Sequence, residues 1–173
     1  MKVHYSTWQL NSSFIQMKAL LSGLLIFSLL TFSSCDSLRV YEQNIDLPEE
    51  GWEEQNPLIY EFQIPDHRIG YNVLYNVRYA IDYPYYNLYV KYSIMDSTGK
   101  EIEQRLQGMD LMDSKTGKPF GDGIGSIFDY RIVALPNYPF PYTGKYYMKV
   151  TQYMRENPVK GIISFGLRIE KIK

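Results

Sequence analysis

Few residues in this chain are of the types that carry reactions, and they are scattered. Among 173 residues there are two histidines, His4 and His67, and one cysteine, Cys35. A zinc site built on His and Cys needs three or four such ligands, so the counts argue against one. A Ser-His-Asp triad needs only one histidine, but no Gly-x-Ser-x-Gly elbow frames a serine. His67 follows Pro65-Asp66, turn-forming residues that place it in a solvated loop. Gly121-Asp122-Gly123-Ile124-Gly125 has the glycine density of a phosphate or calcium loop. No Lys-Ser/Thr follows it, and the EF-hand spacing of acids is missing. Asp110, Asp113, Asp122 and Asp129 are near enough in sequence to gather oxygens around one calcium ion. The plainer reading is a tight turn that uses glycine at positive φ to enter a strand over 126–134. The 19 acids offer many carboxylate pairs for glycoside hydrolysis, and no spacing singles one out. The expectation is a protein that is not an enzyme, with no catalytic residue, no metal and no cofactor.

Aromatic residues are the better candidates for binding. Tyr83, Tyr85 and Tyr86 surround Pro84, and Tyr138, Phe140 and Tyr142 sit among Pro136, Pro139 and Pro141. Such loops stack on sugar rings or seat a protein partner, or else they cap the open ends of a core.

Cys35 has a chemistry of its own. Met17 to Cys35 reads MKALLSGLLIFSLLTFSSC, a basic start, an apolar run from Ala19 to Phe32, then small residues Ser33 and Ser34. This is the layout of a secretory signal, and a run of about fourteen residues is shorter than the roughly twenty that a spanning helix needs. A lone cysteine in an exported protein has no internal disulfide partner. Its position resembles a bacterial lipobox, whose cysteine is acylated and becomes the mature N-terminus, although Phe32 stands where Leu is usual. The expected layout is a signal peptide over 1–34, with Met17 as the true start, and a lipid-anchored domain over 35–173. Two or three acyl chains anchor stably, at about 0.8 kcal/mol per buried methylene.

Removal of 34 residues from 173 leaves 139, the size of one domain. The segment takes Lys2 and Lys18 with it, so 16 Lys+Arg face 19 Asp+Glu and the net charge is −3. Nothing in that balance suits nucleic acid, which calls for a basic patch. The composition holds 17 tyrosines, a residue that favours half-buried strands. Period-two alternation follows. Leu58, Tyr60, Phe62 and Ile64 share one face; so do Tyr71, Val73, Tyr75, Val77 and Tyr79; and so do Leu88, Val90, Tyr92 and Ile94. Ser97-Thr98-Gly99-Lys100 predicts a hairpin turn into 102–106. Tyr146, Met148 and Val150, then Ile163, Phe165, Leu167 and Ile169, continue the pattern. A polar loop punctuated by Pro48, Gly51 and Pro57 holds Trp52. Seven or eight short strands without a helical stripe predict an all-β, antiparallel, jelly-roll-like sandwich in a single domain.

Several residues in order carry a family resemblance. Cys35-Asp36-Ser37 leads into Arg39-Val40-Tyr41-Glu42, then Arg78, Asp82-Tyr83-Pro84-Tyr85 and Asn87-Leu88-Tyr89. After these come the 121–125 glycines, Ile127, Asp129, Phe140-Pro141, Gly144, Tyr146, Gln152 and Met154-Arg155. Gly161-Ile162 and Gly166-Leu167-Arg168-Ile169-Glu170 complete the set. Together they resemble the gliding motility lipoprotein GldH family of Bacteroidetes. The resemblance implies a lipid-anchored envelope protein, an accessory to gliding and to the type IX secretion linked with it, and it supplies no catalytic residues. Asp36 is not followed by the acidic run that resembles a surface-export signal, so an outer-membrane anchor facing the periplasm is expected. The expected partner surface comprises Asp82, Tyr83, Tyr85 and Asn87 with Gly121, Asp122, Gly123 and Arg155. Its expected partners are other envelope proteins of the gliding and secretion apparatus. The alternative is a lipid-anchored carbohydrate-binding module, with Tyr85 and Tyr142 stacking on a glycan.

Overall fold

Alternation of apolar and polar residues builds nearly every element. The computed structural model describes Met17 and residues 36–172. Apart from Met17, the expected signal peptide over 1–34 and Cys35 therefore lie outside the described residues. Among the described residues, nine strands run β1 (Arg39–Asp46), β2 (Leu58–Ile64), β3 (Tyr71–Ala80), β4 (Asn87–Asp96) and β5 (Glu101–Asp110), then β6 (Asp122–Ile124), β7 (Ile127–Tyr138), β8 (Gly144–Gln152) and β9 (Ile162–Lys171). In β2 the burial alternates residue by residue, with Leu58, Tyr60, Phe62 and Ile64 in and Ile59, Glu61 and Gln63 out. In β3 the five inward residues from Tyr71 to Tyr79 are all buried.

The strands form two antiparallel sheets, β1-β9-β3-β7-β6 and β2-β8-β4-β5. Apart from the β4–β5 and β6–β7 hairpins, each connection crosses from one sheet to the other. That winding is a jelly roll, and the fold is the antiparallel sandwich that the pattern predicts. Its β4–β5 turn is closed by Asp96, whose carboxylate accepts the N–H groups of Thr98 and Lys100.

Tyrosine dominates the gap between the sheets. A buried hydroxyl must find a partner, and here the partner is usually across the gap or in a loop. Tyr60 on β2 donates to the Phe165 carbonyl on β9 at 2.7 Å, and Tyr75 on β3 reaches Gln107 on β5 at 3.3 Å. Tyr138 on β7 donates to Glu103 on β5, which also takes Tyr92. Burial pushes the hydroxyls of Tyr60 and Tyr75 upward, so both remain protonated donors at neutral pH. Gln107 in turn donates to the Ala134 carbonyl, exposed where β7 bulges out of register with β3.

Three features depart from the sequence pattern. β1 is a full strand paired to β9, although Gln43 interrupts its inward face between Tyr41 and Ile45. β6 is only three residues long. Trp52 does lie in a loop, but the loop folds inward. Its ring is 1% exposed, packs 5.3 Å from Phe165, and its backbone bridges Val159 in both directions.

Two tyrosines test the hydroxyl ties with opposite signs. Tyr142 has a buried hydroxyl with no partner, while its ring stacks on Tyr146. Tyr60→Phe should cost about 1–2 kcal/mol, whereas Tyr142→Phe should be neutral or stabilising. Urea unfolding of the soluble domain measures both, and equal losses would contradict the account.

Candidate functional site

The antiparallel course sorts the connections into two ends. Loops 47–57, 81–86, 111–121 and 153–161 and the turn 125–126 lie together, while 65–70, 97–100 and 139–143 lie at the other end with the start of β1. Backbone hydrogen bonds stitch the first group together. Trp52 donates to Val159, Ala80 to Gly161, Ile81 to Ser126 and Leu111 to Tyr86, at 2.7–2.9 Å.

All eight residues of the expected partner surface fall at this stitched end, but in different roles. Tyr83 is 3% exposed and edges onto Tyr79 and Tyr85, with its hydroxyl on the Asn87 carbonyl. It is a core cap and not accessible surface. Tyr85 donates to Glu156 at 2.8 Å, tying loop 81–86 to loop 153–161, and that carboxylate raises the pKa of its hydroxyl. Asn87 is half-buried at the start of β4. Gly121 has φ +85 and presses on Asp129, whose carbonyl oxygen would lie 2.2 Å from an added Cβ. Gly123 lies under the Phe128 ring, which would be 2.4 Å from a Cβ there. Asp82, Asp122 and Arg155 stand exposed.

The second aromatic-proline loop is at the opposite end. Phe140 is 2% exposed, and Tyr142 has one face covered by Tyr146 at 4.6 Å. With Tyr83 capping one end and Phe140 the other, both loops close the core. The ring they leave outside is Tyr86, 47% exposed. His67 is exposed as expected, with Nδ1 3.0 Å from the Thr143 hydroxyl. Of the four acids near the glycine loop, Asp113 closes its own turn on Thr116 and Asp129 binds Arg78 through both oxygens. Among the described residues, no group of three or more His, Cys, Asp or Glu is placed to hold a metal.

The sequence pattern gave no sign of a polar trough on the outer face of the larger sheet. It is a concavity of about 780 Å³, with Ser164 of β9 in its lining. Glu42 is its hub. It accepts Arg168 at 2.6 Å, Asn76 at 2.8 Å, Arg39 at 3.0 Å and Arg131 at 3.3 Å. Arg168 is nearly buried, and Glu170 takes its other side. Asn44 and Asn76 meet over Gly166, where an added Cβ would lie 1.8 Å from the Asn44 oxygen. Partial burial pushes the Glu42 carboxyl up, but hydrogen bonds from Arg39, Asn76 and Arg168 outweigh it and hold the carboxyl below its ordinary range. That is the reverse of the raised environment a general acid needs. The trough joins strands; it is not poised for proton transfer.

A carboxyl lowered by folding stabilises above its unfolded pKa and loses that contribution as pH falls through the folded value. Glu42→Gln should therefore destabilise at pH 7 by about 2 kcal/mol and flatten the acid limb of the stability profile below roughly pH 5. Thermal melts from pH 3 to 7 check both, and an unchanged acid limb would contradict the assignment of Glu42.

Comparison with known proteins bears on what this frame is for. A model of the GldH lipoprotein family matches residues 39–169, from the first residue of β1 to late in β9. The gliding motility lipoprotein GldH homolog of Christiangramia forsetii is 32% identical over 155 residues, covering 86% of this chain and 93% of that protein. The gliding motility lipoprotein GldH of Flavobacterium johnsoniae is 25% identical over 157 residues, covering 87% and 96%. Among solved structures, an arabinose-bound α-L-arabinofuranosidase matches at TM-score 0.35 and 7% identity over 75% of this chain. The dimeric latent PorU of Porphyromonas gingivalis matches at TM-score 0.28 and 11% identity over 80%. This chain spans 19% and 14% of those two chains, and likenesses at that level carry no argument. The family match runs through both sheets and the relatives are covered almost end to end: this chain belongs to the GldH lipoprotein family.

Proposed function

We propose that this protein is a lipid-anchored envelope component that serves gliding motility by binding other envelope proteins through its stitched loop end. The observation that carries the reading is the family match over 39–169, supported by relatives named for gliding motility. The lipobox at Cys35 supplies the anchor, and an outer-membrane position facing the periplasm fits the residues that follow it. Three residues separate Cys35 from β1, a reach of roughly 10 Å when extended. The β1 start, with loops 65–70, 97–100 and 139–143, then faces the membrane. Strands of ten residues are roughly 33 Å long, so the stitched end stands about that far out. A tether of this kind raises local concentration near a membrane partner, and a weak interface stays occupied. Charge supports the same orientation. The anchor-side loops carry one acid and two bases, suited to an anionic leaflet, and the four longer loops of the far end carry seven acids and four bases. The carbohydrate-binding alternative draws no support from its rings, since Tyr85 is held by Glu156 and Tyr142 by Tyr146.

Complementation of a gliding relative that lacks its own GldH tests the reading. The wild-type gene should restore colony spreading. Cys35→Ala should yield a folded domain that leaves the envelope fraction in a high-salt wash and fails to restore spreading. Retention of that variant with the envelope, or wild-type failure despite normal expression, would contradict the proposal.

A further inference from the structure

The β6–β7 hairpin ends in Ile124-Gly125-Ser126-Ile127, and its side chains point the wrong way for a soluble protein. Ile124 is 92% exposed and Ile127 is 42% exposed. Ile81, 52% exposed, is pinned beside them by its N–H on the Ser126 carbonyl at 2.8 Å. Full burial of one isoleucine stabilises by about 1.5–3 kcal/mol; Ile124 forgoes nearly all of it, and Ile81 and Ile127 about half.

The tip is also rigid. Gly125 has φ +66 and Ser126 has no positive φ, a type II′ turn that matches the twist of the strands. Arg78 grips Asp129 at the hairpin base through two hydrogen bonds of 2.8 and 3.1 Å. Gly121 packs on the Asp129 backbone, and the Phe128 ring lies over Gly123. Stiff β-branched side chains on a fixed turn lose little freedom when they enter a socket.

Acids flank the isoleucines. Asp82 adjoins Ile81 and Asp122 lies two residues before Ile124. Both are exposed, and neither side chain makes a hydrogen bond or ion pair among the described residues. We infer that Ile81, Ile124 and Ile127 form a docking knob for a protein partner that offers an apolar socket rimmed by Lys and Arg. The inference rests on the reading of this end as the partner surface and names the partner's chemistry. A second copy is disfavoured because the exposed Asp82 and Asp122 of two tips would repel, and an anionic bilayer is disfavoured for the same reason.

The test uses the full-length lipoprotein in a gliding host that lacks its own copy. A photo-crosslinking residue at position 124 should give one discrete protein adduct in living cells, mapping by mass spectrometry to apolar residues flanked by Lys or Arg. Asp82→Lys with Asp122→Lys should lower adduct yield at least tenfold, as should Ile81→Ser with Ile127→Ser. Ile124→Ser with Ile127→Ser should abolish spreading. Leu106→Ser, at an exposed apolar site on the other sheet, should leave spreading intact. Asp82 and Asp122 make no side-chain ties, so their double Lys variant should melt close to wild type, and it carries the test if replacing the half-buried Ile81 or Ile127 costs stability. Adducts to lipid, to a second copy or to an acidic surface would overturn the inference, as would normal spreading with both isoleucines replaced. If those variants spread while Cys35→Ala does not, the knob is wrong and the envelope role stands. If the wild-type gene itself does not restore spreading, the envelope role fails first.

Discussion

The two sheets are held by tyrosines that must satisfy their hydroxyls, and much else follows from that requirement. A jelly roll packed with Leu and Val needs no specific partner across its gap. One packed with Tyr60, Tyr75, Tyr92 and Tyr138 does, because each buried hydroxyl left unpaired costs about 1–3 kcal/mol. Satisfying them fixes β5 against β7 through Glu103 and Gln107, and β2 against β9 through the Phe165 carbonyl. Tyr79 does the same for the far end, donating to the carbonyls of Leu111 and Phe120 and so pinning the long β5–β6 loop. The loops at that end are thus extensions of the core.

A second constraint acts on the outside of the larger sheet. Nearly buried Arg168 has to be neutralised, and Glu42 and Glu170 do so from the two strands beside and along it. Small residues at 164 and 166 of β9 leave room for Glu42 of β1, Asn76 of β3 and Arg131 of β7 to meet across four adjacent strands. Buried ion pairs contribute modestly to net stability, yet breaking one is costly. The trough therefore fixes the register of β1, the strand through which the anchor would pull.

Much of this architecture is legible in residue order alone. β2 and β8 alternate cleanly because one face of each meets the tyrosine layer, β3 and β4 do so apart from buried Leu74 and Ser93, β9 is covered on both faces from Ser164 to Ile169, and the Asp96-to-Lys100 turn carries its own signature. β1 is not legible, since Gln43 occupies an inward position and its other face carries Glu42, Asn44 and Asp46. Trp52 reads as a loop residue because turn residues surround it; only its distant partners Val159 and Phe165 draw it inside. The Glu42 hub spans 126 positions to Arg168, a separation that no local pattern reveals. For the expected partner surface, the ordered resemblance named residues that do gather at one end. It could not separate Tyr83, which caps the core, from Asp82 beside it, which faces solvent. Nor does an isoleucine in a turn announce that its side chain points outward.

The central claim is a polarity: one end held at the membrane, the other engaged with protein. Hydrogen exchange on the lipoprotein in isolated envelopes, compared with the purified soluble domain, tests it most directly. The account predicts extra protection of backbone amides at 81–86 and 121–127 in the envelope, with loops 97–100 and 139–143 showing no salt-resistant gain. Protection confined instead to those anchor-side loops, with 81–86 and 121–127 exchanging as in the free domain, would contradict it.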